Sequence, residues 1–290
     1  MIQTRISRPG DIPAQRELWK LAFGDDGAYV DNFYQSYYRP ERVLVLEEDG
    51  VVRAMTAWFD TSFAMPGRPS LRAAYLYAVA THPDCRGRGL AGKLLADADN
   101  YFRGLGIPAV TTVPAEPSLH KFFGANGFRE CFVLAQTQLS PGDLGPVRED
   151  CLRPVTPREY GKVRERLLSH MPHISYPEDA LAYQAGCCAL SGGGLYCGTT
   201  RWGPVCLCAE GGEGGLMVIK EVLGSPQSRA IALDQLPQVA PGARWLVRKP
   251  LSPGDEGWEK WPFAMLKLLN CRLEDGWDWP TDAYLGLAFD

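Results

Sequence analysis

Residues 73–102 read AAYLYAVATHPDCRGRGLAGKLLADADNYF, and the rest of the chain is organised around them. The stretch opens as an aromatic and β-branched run from Tyr75 to Thr81, passes through His82 and Pro83, and becomes a glycine-rich loop. Leu90, Leu94, Leu95, Ala98 and Phe102 then recur at spacings of three and four, the apolar stripe of a helix. The order is strand, loop, helix. Gly87, Gly89 and Gly92 keep the helix entrance bare, and a helix start offers unpaired N–H groups and partial positive charge to an anion. Arg86, Arg88 and Lys93 add mobile positive charge, so the stretch predicts a phosphate-bearing ligand.

The familiar phosphate loops fit unequally. A P-loop requires Ser or Thr after a Gly-Lys pair, which the loop lacks. The spacing of Gly87, Gly89 and Gly92 matches a dinucleotide fingerprint, but residues 107–113 lack the acidic residue that should follow. The run Arg86-Gly87-Arg88-Gly89-Leu90-Ala91, after a strand that ends near a proline, resembles motif A of the GCN5-related N-acetyltransferases. The resemblance implies the acyl-CoA N-acyltransferase fold, a mixed α/β (α+β) architecture. It also implies acetyl-CoA as co-substrate, its pyrophosphate on Arg86, Gly87, Arg88, Gly89, Leu90 and Ala91.

Composition sets the outer bounds. With 290 residues, 46% hydrophobic and 22% charged, the chain is ordered and long enough for two domains. A formal charge of −4 with interspersed signs leaves no nucleic-acid footprint. There is neither an apolar run of membrane-spanning length nor an apolar segment at the N-terminus, so a cytoplasmic protein is expected. The nine cysteines lack metal-ligand spacing and read as buried thiols, with no metal expected.

In chain order, residues 2–6 alternate as a strand does, and a helix capped at Asp11 carries Leu18, Leu21 and Ala22 inward to Gly24. Residues 28–38 form a second helix dense in aromatics. In the family resembled, this segment borders the acceptor pocket, so Tyr34 and Tyr37 are candidate substrate contacts. Asp49-Gly50 marks a hairpin between strands. Further along, FFGANGF (residues 122–128) resembles the family's motif B. There the sequence departs from the pattern: Phe123 stands where many members carry a tyrosine that protonates the leaving thiolate, and Glu116 stands where asparagine is common.

A register of elements recurs after about 145 residues. It implies a cofactor-binding domain at 1–140, a linker at 141–150 and a second, degenerate domain at 151–290. In that register residues 187–190 are a strand, 262–269 a helix and 284–289 a final strand. The second copy reads Gly224-Ser225-Pro226-Gln227-Ser228 where the first carries its phosphate loop, so it is not expected to bind CoA. Two such lobes resemble the bacterial tandem acetyltransferases of the enhanced-intracellular-survival type. Those carry a third, sterol-carrier-like domain; the sequence ends at Asp290 without one.

Direct transfer needs a neutral amine, a polarised thioester carbonyl and a proton for the thiolate. The resemblance assigns the carbonyl to a backbone N–H near Val79, and the pantetheine chain to Thr81. Strand alternation puts Tyr75, Tyr77, Val79 and Thr81 on one face, making Tyr75 and Tyr77 candidate acids in place of Phe123. Glu116 is the candidate for relaying a proton through water. The expected acceptor is a primary amine on a small molecule or peptide, and the protein a monomer or homodimer. The alternative is an acyl-CoA-binding sensor or scaffold without turnover.

Overall fold

The computed structural model describes residues 1–25, 27–270, 273 and 278–289. Its elements run β1 (Ile2–Ile6), α1 (Ile12–Phe23), α2 (Gly27–Asn32), β2 (Val43–Glu48), β3 (Val51–Met65), β4 (Arg68–Thr81), α3 (Leu90–Gly104), β5 (Ala109–Thr112), α4 (Pro117–Ala125) and β6 (Arg129–Leu139). They continue with β7 (Arg153–Pro154), α5 (Pro157–Leu168), β8 (His173–Ser175), α6 (Glu178–Leu190), β9 (Gly194–Thr200), β10 (Gly203–Gly211), β11 (Leu216–Gly224), α7 (Pro226–Leu233), α8 (Leu236–Val239), β12 (Arg244–Pro250) and β13 (Glu259–Leu268). Two compact units emerge, interleaved along the sequence. The first holds Met1–Ser62, Leu71–Glu130 and Met265–Asp278; the second holds Phe63–Ser70, Cys131–Ala264 and Trp279–Asp290. A cut at residues 141–150 therefore parts Met265–Asp278 from the unit to which it belongs.

In the first unit the strand order is β1-β2-β3-β4-β5-β13. β2 turns into β3 at Asp49-Gly50, both with positive φ (49° and 81°), the pairing that matches the right-handed twist of a hairpin. β4 and β5 are parallel, and α3 lies between them in sequence. The α3 stripe is buried as the spacing predicts: Leu90, Leu94, Leu95, Ala98 and Phe102 pack with Leu44, Leu46, Trp58, Ala74, Leu76 and Phe123. Helix α1 differs from expectation. It buries Gln15, Leu18 and Trp19, while Leu21 is exposed, because the indole of Trp19 turns the helix toward Phe33 and Tyr77. The predicted aromatic helix over 28–38 is α2 followed by a π-helical turn, Phe33–Tyr37.

In the second unit the order is β6-β12-β11-β10-β9-β7. Its apolar core joins Val205, Leu207, Ala209, Ile219 and Val247 to Ala232 and Leu236 of α7 and α8. Alternation sends Cys206 and Cys208 to the opposite face of β10, where Cys208 meets Cys188 of α6. Three expectations from the element register fail here. Residues 187–190 end a helix, α6. Residues 262–269 lie mostly in strand β13, with Phe263, Ala264, Met265 and Leu266 all buried; a run apolar on every face carries no period by which helix and strand can be told apart. Residues 284–289 are not a strand: among the described residues they make one isolated bridge, His173↔Tyr284, and Gly286 takes a left-handed φ of 77°. Side chains hold them instead: Arg164 donates to the Leu285 carbonyl at 3.0 Å, Tyr176 to that of Leu287 at 2.7 Å, and Lys220 to that of Ala288 at 2.6 Å.

Candidate functional site

The glycine loop begins where β4 ends. His82 N–H is tied to the Arg53 carbonyl at 2.9 Å, and the His82 Nδ1 accepts from the Asp84 amide at 3.3 Å, which closes the short 3-10 turn Pro83–Cys85. Cys85 is buried in the core and anchors the turn. Gly87 (φ 75°) and Gly89 (φ 76°) both take the left-handed conformation, and a Cβ on either would meet nothing within 4 Å. Glycine is thus required by the backbone, and open space lies before it. The first helical bond of α3 runs from Lys93 N–H to Gly89 O (3.0 Å), so the amides of Leu90, Ala91 and Gly92 precede the ladder. A bare helix start flanked by Arg86 and Arg88 suits a diphosphate. Arg88 forks onto Glu48 of β2 at 2.5 and 3.0 Å and holds that carboxyl below its usual pKa, and the Arg86 Nε donates to the Thr81 carbonyl at 3.4 Å.

Upstream, β4 contains the most informative backbone feature. Ala78 has φ 49°, a left-handed residue with a Cβ inside a strand. The β4–β5 ladder ends at Leu76↔Thr112, and β5 ends with it, while β4 runs on to Thr81. On the β5 side, the backbone groups of residues 77–81 therefore have no strand opposite them among the described residues. The irregularity also reverses the facing of side chains. Ala74 and Leu76 pack toward α3, and so does Val79, whereas Tyr75 and Tyr77 pack against Phe59 at 6.1 and 5.3 Å. Tyr75, Tyr77 and Val79 do not share a face, because the turn at Ala78 shifts the alternation by one residue.

The candidate side chains are thereby sorted. Tyr75 is 3% exposed. Tyr77 is half-buried, its ring edge-on to Trp19 at 5.3 Å and 6.0 Å from Phe33. Tyr34 is half-buried too; its hydroxyl donates to Gln15 Oε1 at 3.0 Å, Arg16 lies 5.1 Å over its ring, and burial pushes its phenol above the usual range. Tyr37 is 2% exposed, accepts the Asp60 amide hydrogen at 3.2 Å and carries Arg42 over its ring at 4.5 Å, which is a packing position. Glu116 is exposed at the N-cap of α4 and accepts from Ser118 Oγ at 3.2 Å.

Residues 3–127 match the family model described as "Acetyltransferase (GNAT) domain". This segment is a GNAT domain. The fold of most of the chain is also that of solved GNAT proteins. An N-acetyltransferase from Anabaena variabilis matches with a TM-score of 0.73 at 12% identity over 93% of this chain and 74% of that one. Eis1 from Mycobacterium abscessus matches with 0.66 at 12% over 93% and 74%. A putative acetyltransferase from Pyrococcus horikoshii matches with 0.61 at 13% over 91% and 88%. No curated protein sequence matches the chain. The mixed α/β GNAT fold expected from the glycine loop is thus the fold of the chain, and the family is one of acyl transfer.

Within the GNAT domain, Phe123 points into the core against Phe122 and Phe128, at 5.2 and 5.5 Å. His120 of α4 stands 2.9 Å from Glu130. Two residues of the first unit escaped the sequence reading. Asp99 interrupts the apolar face of α3, buried, and pairs with Lys267 of β13, whose ammonium also donates to Asn126 O at 2.6 Å and so caps α4. Lys267 lies too far along the chain for spacing to associate the two. The corresponding turn of the second unit has a different character. Ser225 Oγ accepts from the Ser228 amide at 3.1 Å, and Pro226 follows, so this helix start is capped by its own side chain.

The cysteines described are free thiols; Cys271 lies outside the described residues. Burial pushes the Cys131 thiol up, and no group of three potential ligands stands together among the described residues. Among the described residues, no helix is long and apolar enough to cross a membrane.

Proposed function

We propose that the GNAT domain moves an acetyl group from acetyl-CoA to a primary amine of a small molecule or peptide, by direct attack within a ternary complex. The observation that carries this reading is the conjunction in β4 and its loop. A left-handed Ala78 and a missing strand partner free the backbone near Val79, and the bare start of α3 follows a few residues later. Acetyl-CoA supplies the activated thioester. The Val79 amide donates to its carbonyl oxygen, Thr81 pairs with the pantetheine chain, and the amides around Gly87, Gly89, Leu90 and Ala91 take the diphosphate with Arg86 and Arg88.

As the amine nitrogen bonds to the carbonyl carbon and the carbon–sulfur bond breaks, one proton leaves the nitrogen and one reaches the thiolate. Tyr77 is the candidate donor to sulfur, since it lies one residue before the left-handed Ala78 and retains exposure; Tyr75 is more deeply buried. Glu116, exposed at the start of α4, is the candidate for passing the amine proton to water. On the acceptor side, the half-buried Tyr34 is favoured over the buried Tyr37.

Calorimetric titration of acetyl-CoA into wild type and Gly89→Trp tests the cofactor. Because the space before Gly89 is open, the indole should fill the anion site and weaken binding by at least about tenfold, roughly 1.4 kcal/mol. Equal affinity in the two proteins would remove the loop from the cofactor site. A second reading, an acyl-CoA sensor without turnover, is favoured by the burial of Phe123. Tight binding with no thiol release across a panel of amines would select it. Where turnover is found, Tyr77→Phe should lower kcat about tenfold or more.

A further inference from the structure

The loop arginine Arg88 already has an anion. Its two terminal nitrogens meet both oxygens of Glu48 at 2.5 and 3.0 Å, and its Nη1 lies 3.7 Å from Cys85 Sγ. Arg53 approaches the same carboxylate at 4.0 Å, and its Nε is shut off from solvent without a hydrogen-bond partner of its own. A single acidic side chain at the end of β2 is thus shared between two arginines, one of which belongs to the glycine loop. We propose that Glu48 stands in for a cofactor phosphate: the binding of CoA transfers Arg88 from the Glu48 carboxylate to a phosphate oxygen. The inference rests on the acyl-CoA reading above and adds a residue that neither motif contains.

The exchange is physically cheap. The side chains of Arg88 and Glu48 are 45% and 20% exposed, and ion pairs open to solvent contribute little to stability. A phosphate offers the same forked geometry with oxygens of higher charge. Before a phosphate can take Arg88 the Glu48 pair must open, a cost that disappears when either partner is removed. That cost therefore lowers the affinity for every CoA species alike, acylated or free, which speeds the release of the CoA product.

The test is a double-mutant cycle read by calorimetric titration with CoA: wild type, Glu48→Gln, Arg88→Gln and the double variant. Because the pair is at the surface, all four should melt together. Glu48→Gln is expected to tighten CoA about threefold when Arg88 is present and to change affinity less than about 1.5-fold when Arg88 is glutamine. Raising sodium chloride should shrink the first effect. Weaker binding by Glu48→Gln would mean that Glu48 orients Arg88 for the phosphate, and would overturn the exchange. Equal tightening in both backgrounds would reduce Glu48 to bulk charge and overturn it as well. A wild type that binds no CoA would sink the acyl-CoA reading and this inference together; a wild type that binds without coupling between the two residues sinks the inference alone.

Discussion

Asp11 shows how one residue can be read correctly for position and incorrectly for partner. It sits where a helix cap is expected, yet its carboxylate accepts from the Arg8 amide at 2.7 Å and forks onto Arg5 at 2.7 and 2.9 Å, tying β1 to the chain that enters α1. The Arg5 hydrogen bond holds the Asp11 carboxyl below its ordinary value of 3.8. A carboxyl with a lower pKa folded than unfolded stabilises the fold above the unfolded value, and the contribution is lost as pH falls through the folded one. Urea titrations should accordingly show wild type losing stability below about pH 4 more steeply than Asp11→Asn, with solvent screening keeping the difference near about 1 kcal/mol at neutral pH. Parallel pH profiles for the two proteins would remove Asp11 from the account.

Two elements decide how the GNAT domain presents its backbone. Strand β4 carries a left-handed Ala78 beside the end of the β5 ladder, and a β-branched side chain at φ 49° is more strained than alanine there. Ala78→Val should cost about 2 kcal/mol in urea denaturation and weaken acetyl-CoA binding with it. A variant of wild-type stability and affinity would show that the turn does not matter to the site. Helix α3 is fixed further along its length by the Lys267–Asp99 pair, of which Lys267 is 16% and Asp99 10% exposed. Lys267→Met leaves the Asp99 carboxylate buried without its partner and should cost about 3 kcal/mol, whereas the double variant with Asp99→Leu should recover part of that loss. Additive losses would mean that the two residues do not act as a pair.

At the scale of the molecule, the order of the sequence and the order of the folded units differ. Met265–Leu268 of β13 pairs antiparallel with Leu268↔Ala109 through Met265↔Thr112 on β5, inside the first unit. A fragment of residues 1–140 thus lacks the strand that covers β5 and the lysine that caps α4. Expressed alone, it should be aggregated or largely unfolded by size-exclusion chromatography and circular dichroism, while the whole chain is folded. A monomeric fragment with a cooperative melt would show that the β13 contribution is dispensable. The second unit has its own unusual interior. Arg164, with no exposed surface, donates to Glu221 at 2.8 Å and to the carbonyls of Ile174 and Leu285 at 2.7 and 3.0 Å. The stretch after Ala283 is therefore held by two buried cations, Arg164 and Lys220, and by the Tyr176 hydroxyl in place of a ladder.

The sequence by itself determined what local chemistry can encode. Glycines at 87 and 89 require left-handed backbone, the stripe from Leu90 to Phe102 has one period, and the Asp49-Gly50 signal acts within a few residues; each of these appears as read. The resemblance of that one strand, loop and helix to a known motif implied the GNAT fold. Only the tertiary structure decided the rest. The facing of Tyr77 against Val79 depends on a turn at Ala78 that alanine does not announce, since nothing about alanine favours positive φ. The partners of Asp99, Glu48 and β5 come from distant parts of the chain, and side-chain spacing carries no information about contacts made across such separations. An all-apolar run such as residues 263–266 takes its secondary structure from the edge it covers, because burial on every face removes the period that would have named it.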